Sequence, residues 1–278
     1  MRVDRFRRAG LTFSAAFVGW GLLGLGGCAA PGLDAAPPAV VSELAPSGKL
    51  RAAINFGNPI LAQKNPATGE AQGVSVDLAR ALANRLRVPL EVVTFVSAGQ
   101  VVEAVKARQV DIAFVAIDPV RGADMDYSAP YVVIEGAYMV RRDSPVRSNS
   151  EVDQPGRRVA VGLGSAYDLH LSRELRHATL VRAPTSPAVT DLFLAQNIEV
   201  AAGVRQQMEA DARRVPGLRV LDGRFMVIEQ AMATPKGREA GVRYLRRFVE
   251  DMKESGFVAA ALTRHRIEGA AVAPPSGR

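Results

Sequence analysis

Cysteine is almost absent from the chain: 278 residues hold one, Cys28, so no disulfide can form within it. Histidine is nearly as scarce. His170, His177 and His265 stand without a Cys or carboxylate pattern at ligand spacing, so neither a metal nor any other cofactor is expected. Aromatic residues make up 6% of the chain and nowhere interleave with a basic stripe, which argues against a nucleic-acid partner. No Gly-x-Ser-x-Gly elbow is present. Gly162-Leu163-Gly164 lacks the third glycine of a dinucleotide fingerprint, because Tyr167 occupies its place.

What is present begins at the N-terminus. Arg2, Arg5, Arg7 and Arg8 precede an uncharged apolar run, Leu11 to Leu25, which closes on Leu25-Gly26-Gly27-Cys28. A basic start, a short apolar stretch and small residues before a cysteine form a lipoprotein export signal. The run is shorter than the roughly 20 residues that span a bilayer. Residues 1–27 are therefore expected to be removed, leaving Cys28 acylated and the protein anchored by lipid, since more than one acyl chain gives durable attachment. Ala29 follows the cysteine where similarity to Gram-negative lipoproteins would associate an Asp with inner-membrane retention, so the outer membrane is favoured. Removing the signal leaves 31 basic against 27 acidic residues, a net charge of +4 in place of +7.

Residues 28–48 are rich in Ala and Pro and read as a tether. Residues 269–278, with Pro274 and Pro275, read as a disordered tail. Between them, strand-like runs alternate with helical patterns, predicting an α/β fold with parallel strands. Strands are predicted at Leu50–Asn55, Leu90–Phe95, Asp111–Val115, Tyr138–Arg141, Val159–Gly162 and Val200–Ala202. Val76, Leu78, Ala79, Leu82, Ala83 and Leu86 share one face of an amphipathic helix. One pattern recurs 88 residues on: Val101, Glu103, Val105 and Val110-Asp111-Ile112-Ala113-Phe114 against Val189, Asp191, Phe193 and Ile198-Glu199-Val200-Ala201-Ala202. Two similar lobes would give such an echo, as would any two βαβ units.

Three segments fall in a telling order. Gly73-Val74-Ser75-Val76-Asp77-Leu78 opens the first helix, Val110-Asp111-Ile112-Ala113 leads to Arg121, and Ser128-Ala129-Pro130-Tyr131 leads into the next strand. Over Leu50 to Arg266 the chain resembles the family 3 extracellular solute-binding proteins of bacterial ABC importers. The resemblance implies a two-lobed type II periplasmic-binding-protein fold with a ligand cleft between the lobes, which close about two crossover strands. Lobe 1 would comprise 49–137 and 228–268, and lobe 2 would comprise 138–227. It further implies a monomer that performs no chemistry, with a small carboxylate ligand and an ABC permease as partners.

By the same resemblance Arg121 takes the ligand's carboxylate, for which a guanidinium fork is well suited. Gly164, Ser165 and Ala166 would face the ligand from lobe 2, where backbone N–H groups at a helix start attract anions. A helix cap alone would also explain Ser165. Asn55, Asn58, Ser97 and Ala116 would line the near wall. The chain also departs from the family pattern. Val204 stands where amino-acid binders place an aspartate for the ligand's ammonium, Ala98 where an aromatic commonly stacks, and Asp118 where a Thr is common. Either the ligand has no α-amino group or another carboxylate, Asp118 or Glu135, has taken over. Asp118 could equally be the salt-bridge partner of Arg121. Two alternatives to an importer component stay open: a periplasmic enzyme on this fold, resembling cyclohexadienyl dehydratases, with Asp118 or Glu135 as proton donor, and a ligand-sensing lipoprotein.

Overall fold

The computed structural model describes residues 35–276. The export signal, Cys28 and the first part of the expected tether lie outside the described residues. In chain order the elements are α1 (Pro38–Leu44), β1 (Leu50–Asn55), β2 (Gln63–Lys64), β3 (Ala71–Gln72), α2 (Val74–Leu86), β4 (Leu90–Phe95), α3 (Ala98–Lys106), β5 (Ile112–Ala116) and β6 (Met125–Arg141). There follow β7 (Arg158–Gly162), α4 (Ala166–Glu174), β8 (Thr179–Ala183), α5 (Val189–Ala195), β9 (Val200–Val204), α6 (Arg205–Arg214), β10 (Leu218–Val220), β11 (Met226–Pro235), α7 (Glu239–Glu254), α8 (Phe257–Arg264) and β12 (Ala271–Val272). No helix among the described residues is long and apolar enough to cross a membrane.

The main sheet runs β4-β1-β5-β11-β6-β9-β7-β8. Its ends are two copies of one unit. In lobe 1, β1 lies between β4 and β5, both parallel to it. In lobe 2, β7 lies between β8 and β9, again both parallel. The sequence echo is this repeat, α3–β5 in one lobe and α5–β9 in the other. The acidic residue that opens each repeated strand does the same work in both. Asp111 takes the backbone N–H and guanidinium of Arg51, and Glu199 takes those of Arg158. Each pair ties the first strand of its lobe to the third.

The middle of the sheet is antiparallel, which corrects the expectation of parallel strands throughout. A single 3-10 turn, Arg121–Ala123, leads from β5 into the 17-residue β6, and β11 fits between these two strands and runs opposite to both, as β9 runs opposite to β6. Along Met125–Gly136 strand β6 pairs with β11, and from Gly136 to Met139 it pairs with β9. These two long strands are the connections between the lobes. Helices cover both sheet faces. Leu78, Leu82 and Leu86 of α2 are buried, as the helical pattern predicts. Val101 and Val105 of α3 pack with Ala113 and Val115 of β5, and Phe193 of α5 packs with Ala201 of β9.

Both expected loose ends dock. Within the Ala/Pro segment, Pro38 starts α1 and Val40 and Leu44, four residues apart, are buried on one face. Glu43 Oε2 accepts the backbone N–H of Gly241 at 2.7 Å, joining α1 to α7. In the tail, β12 adds to the second edge of β6 at Val132 and Val133, and Ala273 is buried. Composition suggested a tether at the first place and disorder at the second, but an apolar pair at helical spacing and a strand edge with unpaired backbone groups each supply a partner.

Candidate functional site

A cavity of about 50 Å³ lies between the lobes, lined from lobe 1 by Asn55, Asn58 and Ala116 among others and from lobe 2 by Ser165, Ala166 and Tyr167. Strand β5 is buried along its whole length and ends at Ala116 against this space. After it the chain is turned by Asp118, whose Oδ1 accepts the Val120 N–H at 2.9 Å and whose carbonyl accepts that of Gly122 at 2.9 Å. The turn aims Arg121 inward, and it is 3% exposed. Its Nη1 donates to the Ala116 carbonyl at 3.2 Å and its Nη2 to the Gly164 carbonyl of the other lobe at 2.7 Å. Its Nε has no protein partner, and among the described residues no carboxylate forms an ion pair with it. Burial pushes the Arg121 pKa below its ordinary value, with nearby Tyr127 and Asp118 acting the other way.

Lobe 2 meets this guanidinium with the turn from β7 into α4. Gly164 has φ 68°, a left-handed conformation, and a Cβ there would stand 3.2 Å from Gly99 Cα of lobe 1. Glycine therefore permits both the turn and the approach of the lobes. Ser165 caps α4, its Oγ accepting the Asp168 N–H at 3.1 Å, and it also lines the cavity. The expected free N–H groups are partly used: that of Gly164 goes to Asp168 Oδ2 at 2.8 Å and that of Ser165 to the Gly162 carbonyl at 3.1 Å. The N–H groups of Ala166 and Tyr167 open the helix, where no preceding turn supplies an acceptor.

The remaining candidates divide. Asn55, Asn58 and Ala116 line the cavity. Asn55 Oδ1 holds the Gly57 N–H at 2.8 Å, and Asn58 Oδ1 is buried without a protein partner. Ser97 instead caps α3 and faces a neighbouring groove with Gly164. Asp118 is not the partner of Arg121: its Oδ2 pairs with Arg173 of α4 at 2.9 Å, a bridge between the lobes. Glu135 lies off the cavity, held by Arg205 at 2.9 Å and Arg224 at 2.7 Å. The Arg224 hydrogen bond holds its carboxyl below the ordinary range against the opposing effect of burial, with Arg205 adding to the lowering. That is opposite to what a proton donor needs.

Four polar lining residues escaped the sequence reading: Ser75, Tyr167, Ser186 and Gln230. Ser75 sits inside the Gly73-Val74-Ser75 motif and hydrogen-bonds Tyr131 at 3.3 Å. Gly73, at φ 128°, must be glycine because a Cβ would come within 2.4 Å of the Leu61 carbonyl. Tyr167 follows Ser165 directly, and burial pushes its hydroxyl up to about 12 despite hydrogen bonds with Ser186 and Ser165. Gln230 lies on β11, a strand without a clear pattern in the sequence, and Ser186 opens a single 3-10 turn in the loop between β8 and α5. His170 is on α4, while His177 follows the helix, so the two do not align.

The sequence pattern of the bacterial extracellular solute-binding proteins, family 3, matches residues 51–266. The chain belongs to that family. No curated protein matches it. Among solved structures it is similar to the solute receptors for L-cysteine of Neisseria gonorrhoeae, with TM-score 0.72 and 20% identity over 83% of this chain and 94% of that one. It is also similar to an amino acid ABC transporter substrate-binding protein, AbpA, from Streptococcus pneumoniae bound to L-arginine, with TM-score 0.69 and 21% identity over 80% and 96%. A third is the ancestral amino acid-binding protein AncCDT-1, a precursor of cyclohexadienyl dehydratase, with TM-score 0.68 and 20% identity over 81% and 97%. At these identities the likeness establishes the two-lobed fold of a solute-binding protein.

Proposed function

We propose that this family 3 solute-binding protein serves an ABC importer and binds a small carboxylate-bearing metabolite by closure of lobe 2 (138–227) on lobe 1 (49–137 and 228–268). Arg121 carries the reading. A guanidinium 3% exposed, with its Nε unpartnered and no ion pair among the described residues, calls for an anion, because an uncompensated charge out of water costs several kcal/mol. A carboxylate would take the guanidinium fork from lobe 1, with Ser165 and the first N–H groups of α4 meeting it from lobe 2. Contacts made only when the lobes are together bias the protein to the closed state.

The location follows from the sequence. Cys28 would be acylated after removal of residues 1–27, tethering a monomer to the periplasmic face of a membrane, the outer one favoured by Ala29. Among the described residues no Asp or Glu lines the cavity, and Asp118 and Glu135 are both engaged by arginines, which supports binding over acid–base turnover. The test is a melting-temperature panel of amino acids and organic acids on the wild-type chain and on Arg121→Met. Stabilisation by carboxylates in the first and not in the second is the expected result. Stabilisation unchanged in the variant overturns the reading.

A further inference from the structure

The structure assigns the cavity to a short monocarboxylate that carries no ammonium group: a plain, 2-hydroxy or 2-oxo acid and not an α-amino acid. This rests on the reading that Arg121 takes a carboxylate. Charge balance at the lining between the lobes sets the ligand class. Among the described residues, Arg121 is the only ionisable group lining the cavity besides the Tyr167 hydroxyl; the other polar groups are the neutral Asn55, Asn58, Ser75, Ser165, Ser186 and Gln230.

The carboxylates close to Arg121 and Gly164 in the chain are already neutralised. Asp118, on the turn that carries Arg121, pairs with Arg173, and Asp168, behind Gly164, pairs with Arg182 at 2.9 Å and receives the Gly164 N–H and the Ser172 hydroxyl. The surroundings therefore sum to a single positive charge, that of Arg121. A monoanion brings the site to neutrality. A zwitterionic amino acid would spend its carboxylate on Arg121 and leave its ammonium as a buried charge with only neutral groups to face, a cost of several kcal/mol. Val204, at the end of β9, puts an isopropyl group into the lining and is 9% exposed. Asn58 Oδ1, buried without a partner, and the amide of Gln230 offer neutral hydrogen bonds suited to a hydroxyl or oxo group. A space of about 50 Å³ holds roughly three to four water-sized positions, matching an acid of a few carbons.

The test uses the full chain in detergent and isothermal titration with propionate, lactate, pyruvate, alanine and the longer valerate, repeated on Arg121→Met and Val204→Asp. The expected result is binding of at least one of the first three acids, at least about 100-fold tighter than alanine and tighter than valerate, lost in Arg121→Met. In Val204→Asp, which supplies the missing anion, alanine should gain on those acids. Alanine binding as tightly as the best of them, with both lost in Arg121→Met, overturns this inference while leaving the carboxylate site standing. Valerate binding as tightly as the short acids overturns the size limit. Binding that is unaffected by Arg121→Met, or no binding by any acid, overturns both the inference and the carboxylate reading beneath it.

Discussion

Arg121 of lobe 1 donates to the carbonyl oxygen of Gly164 in lobe 2 at 2.7 Å, so the residue assigned to the ligand is also a bond between the lobes. One guanidinium can hold the ligand through some of its N–H groups and the opposite lobe through another, because it presents five donors in a fixed fork. Ligand capture and lobe closure then share a residue. Arg121→Met should lower carboxylate affinity by about 100-fold or more, the equivalent of two charge-assisted hydrogen bonds, as read by titration calorimetry. Arg121→Lys keeps the charge without the fork and should fall between the two.

A further bond between the lobes is Asp118–Arg173, in which the carboxylate is buried and the arginine is partly exposed. Arg173→Gln should destabilise the chain by about 1–3 kcal/mol, between the values for an exposed and a buried pair. It should also raise the radius of gyration in solution scattering, as the lobes part. An unchanged radius would mean that the pair does not hold them together.

Glu135 sets an acid limit. Its carboxyl titrates below the ordinary range through the Arg224 and then the Arg205 hydrogen bonds. A depressed carboxylate contributes stability that is full above the unfolded value of about 4.3 and is lost as pH falls through the lower folded value. The melting temperature should therefore decline from about pH 4.3 downward, and Glu135→Gln should flatten that decline while lowering stability at neutral pH. An equally steep acid limb in the variant would place the effect on other carboxylates.

Docking of α1 is tested by Leu44→Ala. Leu44 is fully buried against α7, and its truncation should cost about 2–4 kcal/mol in denaturant unfolding. A change within about 0.5 kcal/mol, the usual range for surface positions, would return the segment to the role of a tether.

Much of the fold was legible because its signals are local. Strands β1 and β4 begin and end where their apolar runs do, and α2 is written in the spacing of Leu78, Leu82 and Leu86. Strand β11 was not, since Met226–Pro235 mixes Glu229 and Gln230 with apolar residues and earns its place by pairing on both sides, with β5 and β6. The site divides in the same way. Arg121 follows a recognisable motif, whereas Ser186 and Gln230 come from a loop and a strand that only folding brings to the cavity.

The sequence by itself determined the α/β class and the family, and it singled out the arginine that lines the cavity, because periodicity, motif order and an arginine ahead of Ser128-Ala129-Pro130-Tyr131 are all properties of neighbouring residues. Only the tertiary structure decided that neither candidate carboxylate pairs with that arginine. Asp118 lies three positions from Arg121 in the chain and yet turns to Arg173, 55 positions away, while Glu135 is drawn off by Arg205 and Arg224. Ion pairing depends on distance and direction in space, and a carboxylate near in sequence goes to whichever guanidinium the folded backbone brings into line with it.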